Sequence, residues 1–483
     1  MRVSEKFGLG VTQASLDFVD VDIDGDIPAF IDPKAIRLQT GDWGVTCQAL
    51  LQSYFDALLS AIKSGNKSGI ATLVARTGEP NETHLGYSTA YARGSGLGGG
   101  KKFEAIVEAL TTSKAGTTGL LHDLEDTALL VPNVNKDGVS DIATNVLRGP
   151  LVIYTQQMCG HYGIPMVKQH CGHAWDAKSK AWVELQTELP RANNSPLILV
   201  PKSIVRLKLT LDTDEYYRGF IRPYYEDIEL SNPTSGLVRI LKGGRRKVRL
   251  KELDALVGTS KPAVVDHSLK FPDALPDYRS SITIDTRPPL DHRAFEEKLD
   301  AEPVNYRALL ETVKAVAPGK AGASLYHRAV ADLLTALFDV SLGNQKLEYN
   351  IHDGRKRLDI KFDNIAIAGF FRWLSLNYKS AIVPVECKNY STDPKNPEFD
   401  QLSSRFSRDR GDIGILVCRT ITDKETVMAR CKDTAKDGRG FILVLDDEDL
   451  AEMVEHAEAV RDLELSKRLT FPTLRKQFDA LIG

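Results

Sequence analysis

Two stretches of the chain carry oxygen ligands and an amine in an order that suits phosphate chemistry. Asp359 stands in Arg357-Leu358-Asp359-Ile360, and Glu386 and Lys388 stand in Val383-Pro384-Val385-Glu386-Cys387-Lys388-Asn389. Both runs have the alternation of a β-strand. In the first, Leu358, Ile360 and Phe362 share one face, which leaves Asp359, Lys361 and Asp363 on the other. In the second, Glu386 and Lys388 lie two apart and share a face, with Cys387 turned into the core. Two carboxylates suit Mg²⁺, or Mn²⁺ in its place, with water and a substrate phosphate filling the remaining positions. The backbone carbonyl of Cys387 is a further natural ligand. A cation there lowers the pKa of its bound water and offsets charge at a scissile phosphate. Lys388 can orient or deprotonate that water and stabilise the developing anion. Hydrolysis of a phosphodiester is the reaction this set fits.

The surrounding pattern must bring these groups together. Tyr306 to Val316 and Leu325 to Phe338 read as helices, the second with Leu325, Ala329, Leu333, Leu334, Leu337 and Phe338 on its apolar side. Leu347 to Ile351 predicts a strand, His352 to Arg355 a hairpin turn, and Arg357 to Asp363 the returning strand. An insertion from Ile365 to Tyr378 holds an amphipathic helical turn at Phe370 to Leu374, and Ile382 to Cys387 is the next strand. Asp359 and Glu386 are 27 positions apart (386 − 359), so adjacent antiparallel strands with that insertion between them would bring both carboxylates to one metal. A helix begins near Pro397-Glu398-Phe399-Asp400-Gln401. Ile413 to Cys418 and Phe441 to Leu445 predict two further strands, with Asp446-Asp447-Glu448 capping a last helix.

Asp359, then Glu386-Cys387-Lys388 inside a strand, then a helix bearing Gln401, resembles the PD-(D/E)xK nuclease superfamily, and within it the Mrr-like restriction endonuclease branch. The resemblance spans roughly residues 320–450, about a quarter of the chain. It implies an α/β, restriction-endonuclease-like core: a central mixed sheet flanked by helices, with a Mg²⁺-dependent hydrolytic site. Carried over, Asp359 and Glu386 are metal ligands, Lys388 is the catalytic lysine, and Gln401 completes the site with Arg405 one turn on. Two departures stand out. Arg357-Leu358 occupy the place where a Pro usually precedes the Asp, and no Glu lies between Leu325 and Phe338, where many members carry one on the first core helix. Tyr326-His327-Arg328 stand there instead. His327 is then either a ligand of metal or phosphate, or simply a polar helix residue.

Upstream the signals are weaker. Phe18 to Asp24 alternates apolar residues with Asp, the pattern of an edge strand whose acidic face stays wet. Residues 45–64 have helical spacing ended by Ser64-Gly65-Asn66. Arg93 to Lys102 is glycine-rich, but no strand precedes it and no Ser or Thr follows its lysines, so neither nucleotide motif is complete. Asn135 to Asp141 reads as a turn with Ser140 or Asp141 capping a helix. Cys159, His161, His170, Cys171 and His173 are donors zinc accepts, but their spacing is not that of common zinc fingers, and the plainer account is two buried thiols with ordinary histidines. Leu197 to Val200 predicts a buried strand, and Ile204 to Leu209 a basic amphipathic one. Lys242 to Lys251 is the most basic run: Lys242, Arg245, Arg246, Lys247 and Arg249 could contact phosphates, or could line a solvated loop. The prolines between 257 and 292 predict a linker.

The expected organisation is therefore an N-terminal mixed α/β recognition or regulatory region over 1–290, with a division near 200, and a nuclease domain over 300–483. A net charge of −3 rules out a globally basic nucleic-acid binder, so any contact with a polyanion must be local. No run of about 18 apolar residues predicts a membrane span. The six cysteines form no disulfide framework, and a reducing cytoplasm is the expected setting. The expected activity is endonucleolytic cleavage of DNA in defence against phage or other foreign DNA. A dimer is expected because one centre cuts one strand, and an accessory defence protein is a partner this reading allows. Two alternatives stand beside it: a catalytically inactive nucleic-acid-binding or scaffold protein, and an RNA-directed nuclease effector gated by a nucleotide-sensing N-terminal region.

Overall fold

The computed structural model describes residues 1–39, 41–86, 100–208, 211–282, 289–351, 356–408 and 410–483. The glycine-rich loop up to Gly99 and the turn His352 to Arg355 lie outside these residues.

Two large hydrophobic clusters divide the chain. One gathers buried residues from Val3 to Leu299, and the other gathers Ala14 with residues from Val304 to Phe478. In the second part, helices α1 (Tyr306–Ala315) and α2 (Ala323–Phe338) precede strands β1 (Leu342–Ile351) and β2 (Lys356–Asn364). Then follow α3 (Gly369–Asn377), β3 (Ile382–Lys388), α4 (Asn396–Ser403), β4 (Ile413–Cys418), α5 (Lys424–Lys436), β5 (Phe441–Leu445), α6 (Asp447–Ala459), the single turn α7 (Leu465–Arg468) and α8 (Pro472–Ile482). The five strands form one mixed sheet in the order β5-β4-β3-β2-β1. β1, β2 and β3 are antiparallel neighbours, whereas β3, β4 and β5 run parallel. The helices α4 and α5 supply the crossovers that parallel strands require.

Period-two alternation decides what each face meets. Ile360, Phe362, Val383, Val385, Cys387, Ile415 and Val417 pack with α2 in the second cluster. Leu416, Cys418, Ile442 and Val444 face the other way and pack under Phe399 and Leu402 of α4. The apolar side of α2 is as the sequence predicts at Ala329, Leu333, Leu334, Leu337 and Phe338, all buried, and departs from it at Leu325. Leu325 is 63% exposed, and Tyr326 and Val330 are buried in its place. β1 starts at Leu342, five residues earlier than its apolar run suggested.

The first part is mainly helical, and several expectations are corrected there. Helix Asp42–Lys63 begins three residues early, because Gly41 caps it. Phe18 to Asp24 forms no strand. Asp20 is buried, accepting from the Ser4 amide at 2.9 Å and hydroxyl at 2.6 Å, and Asp17 accepts from the Tyr154 hydroxyl at 2.7 Å. Polar partners inside the fold thus hold these two acids, whereas Asp22 and Asp24 stay at the surface as expected, paired with the N-terminal amine at 2.9 and 3.1 Å. Asn135, not Ser140 or Asp141, caps helix Lys136–Val146, since its side chain reaches the Gly138 amide at 2.8 Å. Leu197 to Val200 is buried without strand pairing, and within Ile204 to Lys208 only Val205–Arg206 forms a strand, paired with Phe30–Ile31, while Leu209 lies outside the described residues. The proposed linker is largely helix: Lys261–Lys270, Ala274–Ser281 and His292–Leu299, with Val264, Val265, Leu275 and Tyr278 in the first core. Pro262 sits in the first turn of its helix, where a missing N–H breaks no helical bond.

The two parts are joined across a buried polar seam. Lys361 and Asp363 of β2 are paired and almost wholly buried. Asn344 Nδ2 donates to Asp363 at 3.1 Å and to Gln39 at 2.9 Å, and the Ser203 hydroxyl donates to Asn344 at 3.0 Å. Residues of the first part therefore cover the Lys361 face of β2. Gly41 is part of this closure, because a Cβ there would lie 2.3 Å from the Asp363 carboxylate.

Candidate active site

The candidate centre forms where β2 and β3 stop pairing. The last pair on that side is Ile360 with Val385. One step further, the Asp359 carboxylate takes the place of a backbone acceptor: its Oδ2 accepts from the Cys387 amide at 2.9 Å. This fixes Asp359 against the strand that carries Glu386 and leaves Oδ1 for another ligand.

Glu386, Lys388 and Gln401 form one hydrogen-bonded group. Lys388 Nζ donates to Glu386 Oε1 at 2.9 Å and to Gln401 Oε1 at 3.1 Å, and Gln401 Nε2 donates to the same Glu386 oxygen. The strand sets Glu386 and Lys388 on one face, and α4 lowers Gln401 onto them. Glu386 is 1% exposed, and its Oε2 is buried with no hydrogen-bond partner among the described residues. Burial raises its carboxyl above the usual range and the Asp359 charge adds to this, while Lys388 and Arg405 oppose the rise.

The donors present fit a hard divalent cation. Glu386 has one oxygen committed to Lys388 and Gln401 and one oxygen free, and Asp359 stands beside it. The Cys387 carbonyl follows in the same strand. Among the described residues no group of three or more His, Cys, Asp or Glu side chains gathers as a ligand set. The fit is thus to an ion that accepts two carboxylates and completes its shell with water, as Mg²⁺ does.

His327, on α2, brings Nε2 to 3.8 Å from Asp359 Oδ2. The start of α2 is tied to the end of β3. Asn389 Nδ2 donates to the Ala317 carbonyl at 2.9 Å and to the Gly319 carbonyl at 3.1 Å, and Gly319 returns its amide to the Asn389 carbonyl. Asn389 therefore sets the position of the helix that carries His327. Arg405 follows α4, and its Nε is buried without a partner among the described residues.

Sequence reasoning missed the wall opposite α2. A cleft of about 490 Å³ opens at Asp359 and His327, bounded on one side by Arg328, Lys346 and Tyr349 and on the other by Gln157, Gly160 and His161. The latter three belong to helix Arg148–Tyr162 in the first part, and no local pattern could have linked that helix to residues some 200 positions on.

The other candidates lie apart from the centre. Val238–Ile240 and Arg246–Val248 form a hairpin, and Gly243 and Gly244 turn it with φ of +94° and +83°. Lys242, Arg245 and Lys247 are exposed, with no carboxylate partner among the described residues, whereas Arg246 donates to the Asn232 carbonyl and Arg249 pairs with Glu252 at 3.3 Å. None of them lines the cleft. Cys159 and Cys171 are buried, in a helix and in strand Val167–Asp176 respectively. His170 pairs with Glu184 at 3.3 Å, and His161 is turned toward Asp332 at 4.0 Å.

Residues 8–212 match the model of a family described as a domain of unknown function, DUF8370. The match includes helix Arg148–Tyr162, which forms one wall of the cleft, and stops short of Asp359, Glu386 and Lys388. No curated protein and no solved structure matches the chain. Among the described residues no helix is long and apolar enough to cross a membrane.

Proposed function

We propose that the chain is a metal-dependent nuclease of the PD-(D/E)xK type that hydrolyses phosphodiester bonds of DNA. The observation that carries this reading is the free, buried Oε2 of Glu386 beside Asp359, with Lys388 fixed on the other Glu386 oxygen. A buried carboxylate oxygen without a donor is costly unless something positive meets it. Asp359, Glu386 and the Cys387 carbonyl would hold Mg²⁺ or Mn²⁺. When bound, the ion supplies an activated water and charge compensation at the phosphate. Lys388 holds a proton at Nζ close to the position where negative charge develops, and Gln401 keeps that amine and Glu386 in register. His327 flanks Asp359 where a phosphate oxygen would approach. The mixed sheet with α2 and α4 on its two faces supports the assignment, as does the arrival of Gln401 from the helix after β3. Defence against phage or other foreign DNA is the biology that fits, by analogy with the restriction endonuclease branch.

The test is cleavage of labelled DNA and RNA, single- and double-stranded, by the full chain and by Lys388→Ala. Cleavage of DNA by the unaltered protein in Mg²⁺, lost in EDTA and lost in the variant, is the expected result. Equal cleavage by Lys388→Ala, or cleavage undiminished by EDTA, refutes the assignment.

A further inference from the structure

The cleft at Asp359 deepens the nuclease reading, on which this inference rests, by defining the form of the substrate. Its walls come from both parts of the chain. Arg328 and Lys346 present two cations with no carboxylate within ion-pair distance among the described residues, and Lys346 lies 5.2 Å from the Tyr349 ring centre. The acid on the same wall, Glu348, is engaged by Arg357 at 3.4 Å. The wall thus carries two cations without a direct ion-pair partner among the described residues, an aromatic ring and a route to Asp359. These are the components with which proteins hold unpaired nucleic acid: cations track the backbone and a ring accepts a base.

The opposite wall limits what can enter. Helix Arg148–Tyr162 stands across from α2 and β1, with His161 turned toward Asp332 of α2 at 4.0 Å and the Tyr154 hydroxyl donating to Asp17 at 2.7 Å. The space of about 490 Å³ is that of a small-ligand site. It admits part of one strand with its bases unstacked. A duplex, with a second backbone to seat, exceeds a site of that size. We infer that the cleft between helix Arg148–Tyr162 and α2 binds an unpaired nucleic-acid strand and leads its backbone to Asp359. The N-terminal part thereby selects single-stranded or locally unwound substrate.

The experiment measures binding separately from cleavage. Fluorescence anisotropy of the full chain is recorded in EDTA with labelled single-stranded DNA, single-stranded RNA and duplex DNA of equal length. Single strands are expected to bind at least about tenfold more tightly than the duplex, and the two single-strand arms report which sugar is preferred. Arg328→Ala and Lys346→Ala are each expected to weaken that binding several-fold and to lower the salt slope by about one. Gly160→Trp obstructs the cleft from the N-terminal wall. A Cβ at Gly160 meets nothing within 4 Å, so the variant should fold, as circular dichroism and an unchanged melting temperature will confirm. It is expected to abolish single-strand binding. Duplex binding equal to or tighter than single-strand binding, no binding of any of the three, or single-strand binding unaffected by Gly160→Trp overturns the inference. Single-strand binding blocked by Gly160→Trp, with no cleavage in Mg²⁺, upholds the cleft and refutes the nuclease assignment. Duplex cleavage unaffected by Gly160→Trp does the reverse.

Discussion

Asp359 accepts a hydrogen bond from the Cys387 amide at 2.9 Å, so the same carboxylate that faces the candidate metal position also closes the end of the β2–β3 ladder. The two roles can be separated. Asn in place of Asp359 keeps an oxygen for the amide but loses the charge. Asp359→Asn is therefore expected to lose Mg²⁺-dependent cleavage by more than about 100-fold while melting close to the unaltered protein. Asp359→Ala also leaves a buried N–H unpaired and is expected to cost about 1–3 kcal/mol of stability. Urea denaturation of both variants checks this. Equal destabilisation by Asn and Ala would show that the amide contact contributes nothing.

Glu386 gives a prediction in pH. Its carboxyl is held above the ordinary range, chiefly by burial and then by Asp359. Between the ordinary value and the raised one, the folded protein binds the proton and the unfolded chain does not. Stability therefore falls as pH rises through that window, and above it the ionised Glu386 is a burden on the fold. Glu386→Gln is expected to raise the melting temperature by a few degrees above that window and to narrow the difference below it. Mg²⁺ should stabilise the unaltered protein by about 2.7 kcal/mol at a concentration 100 times its Kd, and should leave Glu386→Gln unmoved. Differential scanning calorimetry across pH, with and without Mg²⁺, decides it.

The buried pair Lys361–Asp363 predicts how firmly the two parts are joined. Removing one partner leaves an uncompensated buried charge. Lys361→Met is expected to cost about 3–5 kcal/mol, and removal of both charges in Lys361→Met with Asp363→Leu to recover much of it. Gly41→Ala should destabilise by about 1–3 kcal/mol, since its new methyl would overlap the Asp363 carboxylate. Chemical denaturation measures all three, and limited proteolysis at the junction reports whether the seam has opened.

These contrasts show which features the sequence made legible. Asp359, Glu386, Lys388 and Gln401 were readable because local period-two alternation placed the first three on strand faces and the chain order placed the helix. The three side chains Glu386, Lys388 and Gln401 do meet. Lys361 and Asp363 were assigned to the correct face, but their burial was not legible, because the cover comes from Gln39, Gly41 and Ser203, more than 150 positions away. The prolines at 262 and 276 read as breakers although each stands in the early part of a helix, where proline is tolerated. The face of α2 was legible at Ala329, Leu333, Leu334, Leu337 and Phe338, and only its first member was misplaced, because Leu325 and Tyr326 are both apolar enough to begin the stripe.

The basic hairpin supplies the last prediction. Lys242, Arg245 and Lys247 project from a two-stranded ribbon turned by Gly243 and Gly244, and none has an acid partner among the described residues. Such exposed cations contribute phosphate contacts without sequence preference. Replacing the three with Ala together should weaken nucleic-acid binding uniformly across sequences and lower the slope of log K against log salt by up to about 3. Stability should change by less than about 0.5 kcal/mol, because exposed side chains without partners support little of the fold. Cleavage of a short oligonucleotide at saturating concentration should keep its rate, since none of the three lines the cleft at Asp359. The measurement is a salt titration of binding alongside single-turnover cleavage. An unchanged slope would return the hairpin to the status of a solvated surface ribbon, and a lost single-turnover rate would place it in the centre.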